Sequence, residues 1–355
     1  KSPFECLDRS LLPASSMEEM SPADRLFGWV APKGQGAWRG RLRVGAVTMS
    51  HPDKDGPHEQ FKRPIPLAIL GAPKPAQARF YLGGQDGHAQ RKGLDKRSVG
   101  YSAGRQLRGR KVYWTPRGVV GNTAYWESPW EDRTNRDTDG YYQEYRQPGK
   151  KEETEKTKQN RSIKRWIKPG AEIRFSVKVE NLALEELGCL LRIASLKDWA
   201  GKGAVLRIGM GKPLGLGCVK LELDPPSEGA SVGRGQCWAK YYAKLSDPEP
   251  AFRMDDGDIN AAQEAFGTAI STVYGREGQA WTDIPFVKAF AAAALGPQDN
   301  WPVRYPRKQG FRTAGGDVTP SYEWFVENEK KTRDKPLPGF CLPNPWEDTG
   351  LPVWP

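Results

Sequence analysis

Histidine is scarce in this chain. His51, His58 and His88 are the only three in 355 residues, and none lies beside a cysteine at a spacing that makes a zinc site, so no structural metal is expected. Cysteine is nearly as sparse. Cys6, Cys189, Cys218, Cys237 and Cys341 are odd in number, far apart and without a CxxC pair, which argues against a disulfide framework and for free thiols in a reducing compartment. Long apolar runs are missing too. Nothing approaches the roughly eighteen residues of a spanning helix, and no basic, apolar, small-residue leader is present. A soluble cytoplasmic protein with no membrane partner is the expectation. Because residue 1 is Lys rather than Met, a fragment, a processed product or a piece of a longer polypeptide is expected as well.

Charge of one sign, glycine and proline are abundant. Lys and Arg number 54 against 43 Asp and Glu, a net charge of +11 with a pI near 9.3. Each phosphate neutralised by such a side chain releases condensed counterions, so polyanions are the expected partners. The 39 glycines and 30 prolines, beside a hydrophobic content of 37%, argue against long bundles and for a modest core carrying extensive loops. The length suits one large or two ordinary domains.

Residues Arg207 to Val219 read RIGMGKPLGLGCV, with Gly209, Gly211, Gly215 and Gly217 at GxGxxxGxG spacing ahead of the alternating segment CVKLEL. Without Cβ atoms such a loop adopts positive φ and turns several N–H groups towards one anion, where Arg207 and Lys212 add charge. Two enzyme signatures are excluded. A P-loop needs Ser or Thr after Gly-Lys, whereas Pro213 follows Lys212 and Leu206 stands in place of the leading glycine. A dinucleotide fingerprint needs glycine at 214, which is Leu, and an acidic ribose ligand about twenty residues on. A tight turn between two elements is the alternative.

In chain order, Ser15 and Ser16 are placed to cap a short helix that Pro22 stops. Asp24 is a candidate catalytic carboxylate, with ordinary turn chemistry, a cap or a pair with Arg25, as its rival role. Arg39, Arg41 and Arg43 fall on one side of a strand, and Leu42, Val44 and Ala46 on the other. That sets a row of guanidinium groups at the pitch of a phosphate backbone. His51 and His58, in a Pro-rich loop, are weak acid–base candidates. From Arg91 to Arg117 nine cations, among them Arg108, Arg110 and Lys111, face the single acid Asp95, with Tyr101, Tyr113 and Trp114 interleaved. Cations with flat rings are what single-stranded RNA requires. Glu127 to Arg165, containing KKEETEKTKQNR, reads as an exposed insertion or mobile arm.

Ile173, Phe175, Val177 and Val179 alternate as a half-buried strand, after which Asn181 is placed to cap a helix striped by Leu184, Leu187, Leu191 and Ala194. Strand, helix, glycine loop and strand form the closing half of a ferredoxin-like βαββαβ unit, whose first half comes from earlier strands or from sequence ahead of Lys1. Past the boundary DPPSEG, Ala262 to Val273 and Ile284 to Leu295 suggest amphipathic helices. The late aromatics, Trp281 to Trp346, suggest a packing surface.

Several of these segments share a pattern. PADRLFGWV (Pro22 to Val30), RGRLRVGAV (Arg39 to Val47), LRGRKVYW (Leu107 to Trp114), ENLALEELGCLL (Glu180 to Leu191) and the loop IGMGKPLGLG together resemble the RAMP superfamily, the repeat-associated RNA-binding proteins of CRISPR type III effector complexes. VRYP (Val303 to Pro306) and YEWFVENEKK (Tyr322 to Lys331) resemble the carboxyl-terminal part of a large-RAMP branch. The likeness covers most of the chain and suits the last RAMP-like unit of a single-chain type III-E effector.

The resemblance implies an α+β fold. Residues 1–225 would be an RNA-recognition-motif-like (ferredoxin-like βαββαβ) domain with a large insertion at about 50–165, and 226–355 a helical, Trp-rich extension. It implies antiviral defence as the role, with a CRISPR guide RNA, complementary target RNA and other RAMP subunits or segments as partners. By motif match, Gly209, Gly211, Lys212, Gly215 and Gly217 would lie against guide backbone, with Arg207 beside them. Arg41, Arg43, Arg108, Arg110 and Lys111 are added from the charge reading. Related effectors cut target RNA with a metal ion, magnesium being the expected one, and a loop aspartate ahead of the matching region. No cofactor is expected in this chain itself. The readings left open are an endoribonuclease effector whose cutting residues lie upstream or in partners, a non-catalytic scaffold that caps or spaces the guide, and a nucleotide-processing enzyme that cradles a triphosphate.

Overall fold

The computed structural model describes residues 2–34, 36–68, 75–84, 90, 92–102, 104–108, 112–121, 123–126, 145–146, 161–224, 239, 242–243, 255–297, 321–330 and 337–342. They form a mixed α+β protein whose sheets are small and antiparallel.

Ser21 and Pro22 start the first helix. The Ser21 hydroxyl accepts the Asp24 N–H at 3.2 Å while the Asp24 carboxylate accepts the Ser21 N–H at 2.9 Å. This capping box opens α1 (Pro22–Phe27). A short helical turn over Met17–Glu19, entered at Ser16, ends ahead of Pro22 as expected, and Pro22 then begins α1, because a missing N–H costs nothing at the first helical position. A short hairpin follows, β1 (Trp29–Val30) with β2 (Ala37–Trp38).

The chain then runs out along β3 (Leu42–Ser50) and β4 (His58–Pro66) and returns along β5 (Ser162–Ile167) and β6 (Glu172–Val179). β3 pairs with β6 and β4 with β5. Leu42 faces Val179, Val44 faces Val177, Val47 faces Phe175 and Met49 faces Ile173. A bulge between Val44 and Val47 keeps all four apolar pairs on one side despite the odd spacing, and takes Ala46 out of the alternation expected for it. His51 fixes the joint between the two ladders. Its Nδ1 accepts the Asp53 N–H at 3.0 Å and its Nε2 lies 3.1 Å from the Pro169 carbonyl. The Asp53 carboxylate pairs with Lys168 at 3.2 Å. Both ring nitrogens of His51 thus serve the backbone.

Between β4 and β5 the inserted chain, including α2 (Thr123–Trp126), builds a core shared with those strands and the glycine loop. Ile65, Leu67, Val119, Tyr125 and Tyr145 pack with Leu214 of the glycine loop. The Trp126 and Tyr145 rings stack at 5.1 Å, and Trp166 meets the edges of Tyr145 at 5.5 Å and Phe61 at 4.9 Å. Tyr145 and Arg146 are buried and Ser162 to Arg165 lie in β5, although the sequence places them in an exposed arm. Residues 127–144 and 147–160 of that arm lie outside the described residues.

β6 leads through a left-handed corner at Asn181 (φ 51°) to α3 (Leu184–Ala194) and α4 (Leu196–Trp199). Asn181 is not the cap. The Glu186 carboxylate closes the helix start by accepting the Ala183 N–H at 2.9 Å, and it pairs with Arg25 at 2.8 Å, tying α3 to α1. Then come β7 (Leu206–Arg207) and β8 (Cys218–Val219), which bracket the glycine loop.

Of the later helices, α5 (Asp256–Tyr274) crosses α3 where Gly188 meets Ala262, and a Cβ at 188 would collide with the Ala262 carbonyl. α6 (Pro285–Leu295) sets Ala294 against Leu196, Ala200 and Ala204. α7 (Ser321–Asn328) docks on the segment after β4. There buried Arg79 binds Glu329 at 2.7 Å, and Phe80 lies against Trp324 and Phe325. The extension therefore packs on several parts of the preceding chain.

Among the described residues no helix is long and apolar enough to cross a membrane. Cys6, Cys189, Cys218 and Cys341 are free thiols. Replacing Gly188 by Val is expected to lower unfolding stability by about 1–3 kcal/mol through overpacking at the α3–α5 crossing, read by urea denaturation. An unchanged midpoint would show that the helices need not approach so closely.

Candidate functional site

All four glycines of the loop take left-handed backbone: Gly209 at φ 70°, Gly211 at 75°, Gly215 at 90° and Gly217 at 79°. Gly217 is the tightest of them, since a Cβ there would strike the Ile208 carbonyl. The loop closes on itself. Ile208 N–H donates to Gly217 O at 2.9 Å, and Gly211 O accepts the N–H groups of Leu214 at 2.8 Å and Leu216 at 3.3 Å.

With the Gly211 carbonyl turned inward, the trans peptide turns the Lys212 N–H away from the loop interior. Among the described residues no acceptor takes the N–H of Gly209, Met210, Gly211 or Lys212. Four successive unclaimed donors between left-handed glycines are the makings of an anion-binding concavity. The Lys212 ammonium lies over the Tyr113 ring at 5.5 Å, beside these donors in sequence. Met210, at the tip, is 94% exposed.

Arg207 holds the loop from inside. Its guanidinium donates to the carbonyls of Lys212 at 2.7 Å and Leu216 at 2.9 Å, and to that of Trp114. Burial lowers the pKa of this guanidinium, the nearby Cys218 thiol opposing the shift. Burial likewise raises that of Cys218, against the pull of Arg207. Trp114 belongs to the stretch Tyr113 to Pro116, which forms a seam under the loop. Pro116 lies beneath Gly215, and Thr115 N–H donates to Ala293 O of α6 at 3.0 Å.

The predicted site residues divide. Arg207, Gly209, Gly211, Lys212, Gly215 and Gly217 share this loop, with Arg207 directed inward. Arg41 donates to the Asn181 carbonyl and its guanidinium lies over Trp38 at 4.6 Å, which fastens the corner after β6. Arg43 is exposed on β3 across from Lys178. Arg108 donates to Leu342 O at 2.6 Å, joining the basic segment to the C-terminal strap. Arg110 and Lys111 lie outside the described residues. Asp24 is engaged in its capping box. Sequence reasoning gives Tyr113 and Trp114 as stacking groups but misses their place beneath the loop, where Lys212 and Arg207 meet them. Among the described residues no three His, Cys, Asp or Glu side chains gather as metal ligands.

No protein-family model matches the chain, and no curated protein matches it significantly.

Arg207→Ala takes the donor from the partly buried carbonyls of Trp114 and Leu216 and leaves that of Lys212 only the Gly215 N–H. It is expected to cost about 1.5–3 kcal/mol of unfolding free energy and to open residues 207–219 to limited proteolysis. Arg207→Lys should recover only part, because one ammonium does not reproduce a planar fork. Wild-type stability in Arg207→Ala would remove the clamp from the account.

Proposed function

We propose that this chain is a RAMP-type segment of a CRISPR type III effector and that its glycine loop holds the sugar-phosphate backbone of a guide RNA. The observation that carries the reading is the run of unclaimed N–H groups from Gly209 to Lys212, on a loop that Arg207 stiffens, in a chain of net charge +11. A preorganised row of donors with a cation alongside suits a phosphate diester and reads no base. Sequence selection then falls to pairing between guide and target RNA.

The element order supports the same assignment. α1, the long β3–β6 hairpin, α3 and the β7–β8 loop come in this chain order, and in this reading they would be the later elements of a ferredoxin-like unit with the insertion at the hairpin's far end. In this reading other RAMP subunits or segments complete the particle in the cytoplasm. Target cutting, with magnesium, uses an aspartate they supply. The commitment of Asp24 to a helix cap favours a segment that holds RNA over one that cuts it, the scaffold reading.

Purifying the protein from its host and sequencing the RNA that accompanies it should return repeat-derived transcripts of defined length. Random host RNA, or none, would overturn the assignment. For single-stranded RNA, Lys212→Ala is expected to weaken binding and to reduce the slope of log affinity against log salt by about 0.7, the share of one phosphate. An unaltered slope would place the backbone contact elsewhere.

A further inference from the structure

The β3–β6 ribbon has two unlike sides. On one, Val44, Val47, Phe175 and Val177 are 64%, 59%, 43% and 45% exposed, although the register sets them in opposed pairs. Single exposed apolar side chains are ordinary, whereas a contiguous stripe marks a surface that another chain covers. On the other side Arg43 stands across from Lys178, and Glu172 is held by Arg174 at 2.9 Å. Among the described residues each strand has a single ladder partner. Among these residues nothing pairs with the outer edge of either strand, and a two-stranded ribbon alone is marginal in water.

We infer that this ribbon receives an extended segment of a different polypeptide, one that alternates apolar with acidic residues. Successive side chains of a strand point to opposite sides, so an added strand continues both surfaces at once. Its apolar residues lengthen the Val44–Val177 stripe, and its carboxylates come beside Arg43 and Lys178. The charge selects against a second copy of this chain. Edge-to-edge pairing of two ribbons would bring basic sides together on chains that each carry +11, and like charges across a ladder destabilise it. An RNA on the basic side would leave the apolar stripe in water. The inference does not depend on the guide-RNA reading.

The test is fluorescence anisotropy of a labelled nine-residue peptide alternating Val and Glu, titrated with the full chain. Saturable binding is expected, at least ten-fold tighter than to a peptide with Lys in place of Glu or to one of the same composition with its Val and Glu in separate blocks. Val177→Asp should abolish it. The double variant Arg43→Glu, Lys178→Glu should reverse the preference towards the Lys peptide, which keeps the test decisive if Val177→Asp fails to fold. No binding, equal binding of all three peptides, or no reversal would overturn the inference. A wild-type dimer in sedimentation that Val177→Asp dissolves would assign the stripe to a second copy and overturn it equally.

Discussion

The Arg207 guanidinium gathers carbonyl oxygens from chain positions as distant as Trp114 and Leu216. That concentration of acceptors around one cation pins the loop at Lys212 and Leu216, while the Gly211 carbonyl, turned in to the N–H groups of Leu214 and Leu216, leaves the Lys212 N–H turned out. The glycines make that orientation sterically accessible. At Gly217 a side chain is barred by the Ile208 carbonyl, and at Gly211 by Leu216. The left-handed conformations at all four positions are ones that other residues rarely adopt. Arg207 anchors the loop from inside, and the turn closed on the Gly211 carbonyl sets the Lys212 N–H outward.

The rest of the described chain is arranged about that loop. Leu214 enters the aromatic core of the insertion, so the segment between β4 and β5 buttresses one flank. The Tyr113 to Pro116 seam reaches from the loop to the end of α6, where Gly296 lies so close to the Thr115 carbonyl that a Cβ would collide. α6 in turn packs on α4 and on Ala204, just ahead of β7. Rigidity at the loop is thus supplied from two directions by apolar packing, while its tip, Gly209 and Met210, stays in solvent. This matches the general need of a binding site for donors fixed before the ligand arrives.

Much of this was legible in the sequence, and what was not had definite causes. Four glycines at fixed spacing announced a turn with positive φ because no other residue adopts it freely. The alternation of Ile173 to Val179 and the stripe of Leu187 and Leu191 announced β6 and α3 through their periods. Charge gave less. Arg41, Arg108 and Arg207 look alike as cations, yet each donates to a backbone carbonyl, and an acceptor of that kind has no sequence signature. Asn181 reads as a cap because Asn favours caps, but Asn also tolerates left-handed backbone, and the corner took it while Glu186 closed the helix. The insertion core escaped because Tyr125, Trp126, Tyr145 and Trp166 follow no helical or strand period. The Arg79–Glu329 pair, which docks α7, joins residues 250 positions apart.

In the proposed function the unclaimed donors of Gly209 to Lys212 are the groups that meet RNA. Amide hydrogen exchange of the full chain, measured with and without added single-stranded RNA, tests this most directly. Slowed exchange at Gly209, Met210, Gly211 and Lys212 on adding RNA, with the β3–β6 ladder unchanged, is the predicted result. Bound RNA that leaves those four amides exchanging at their free rate would contradict it.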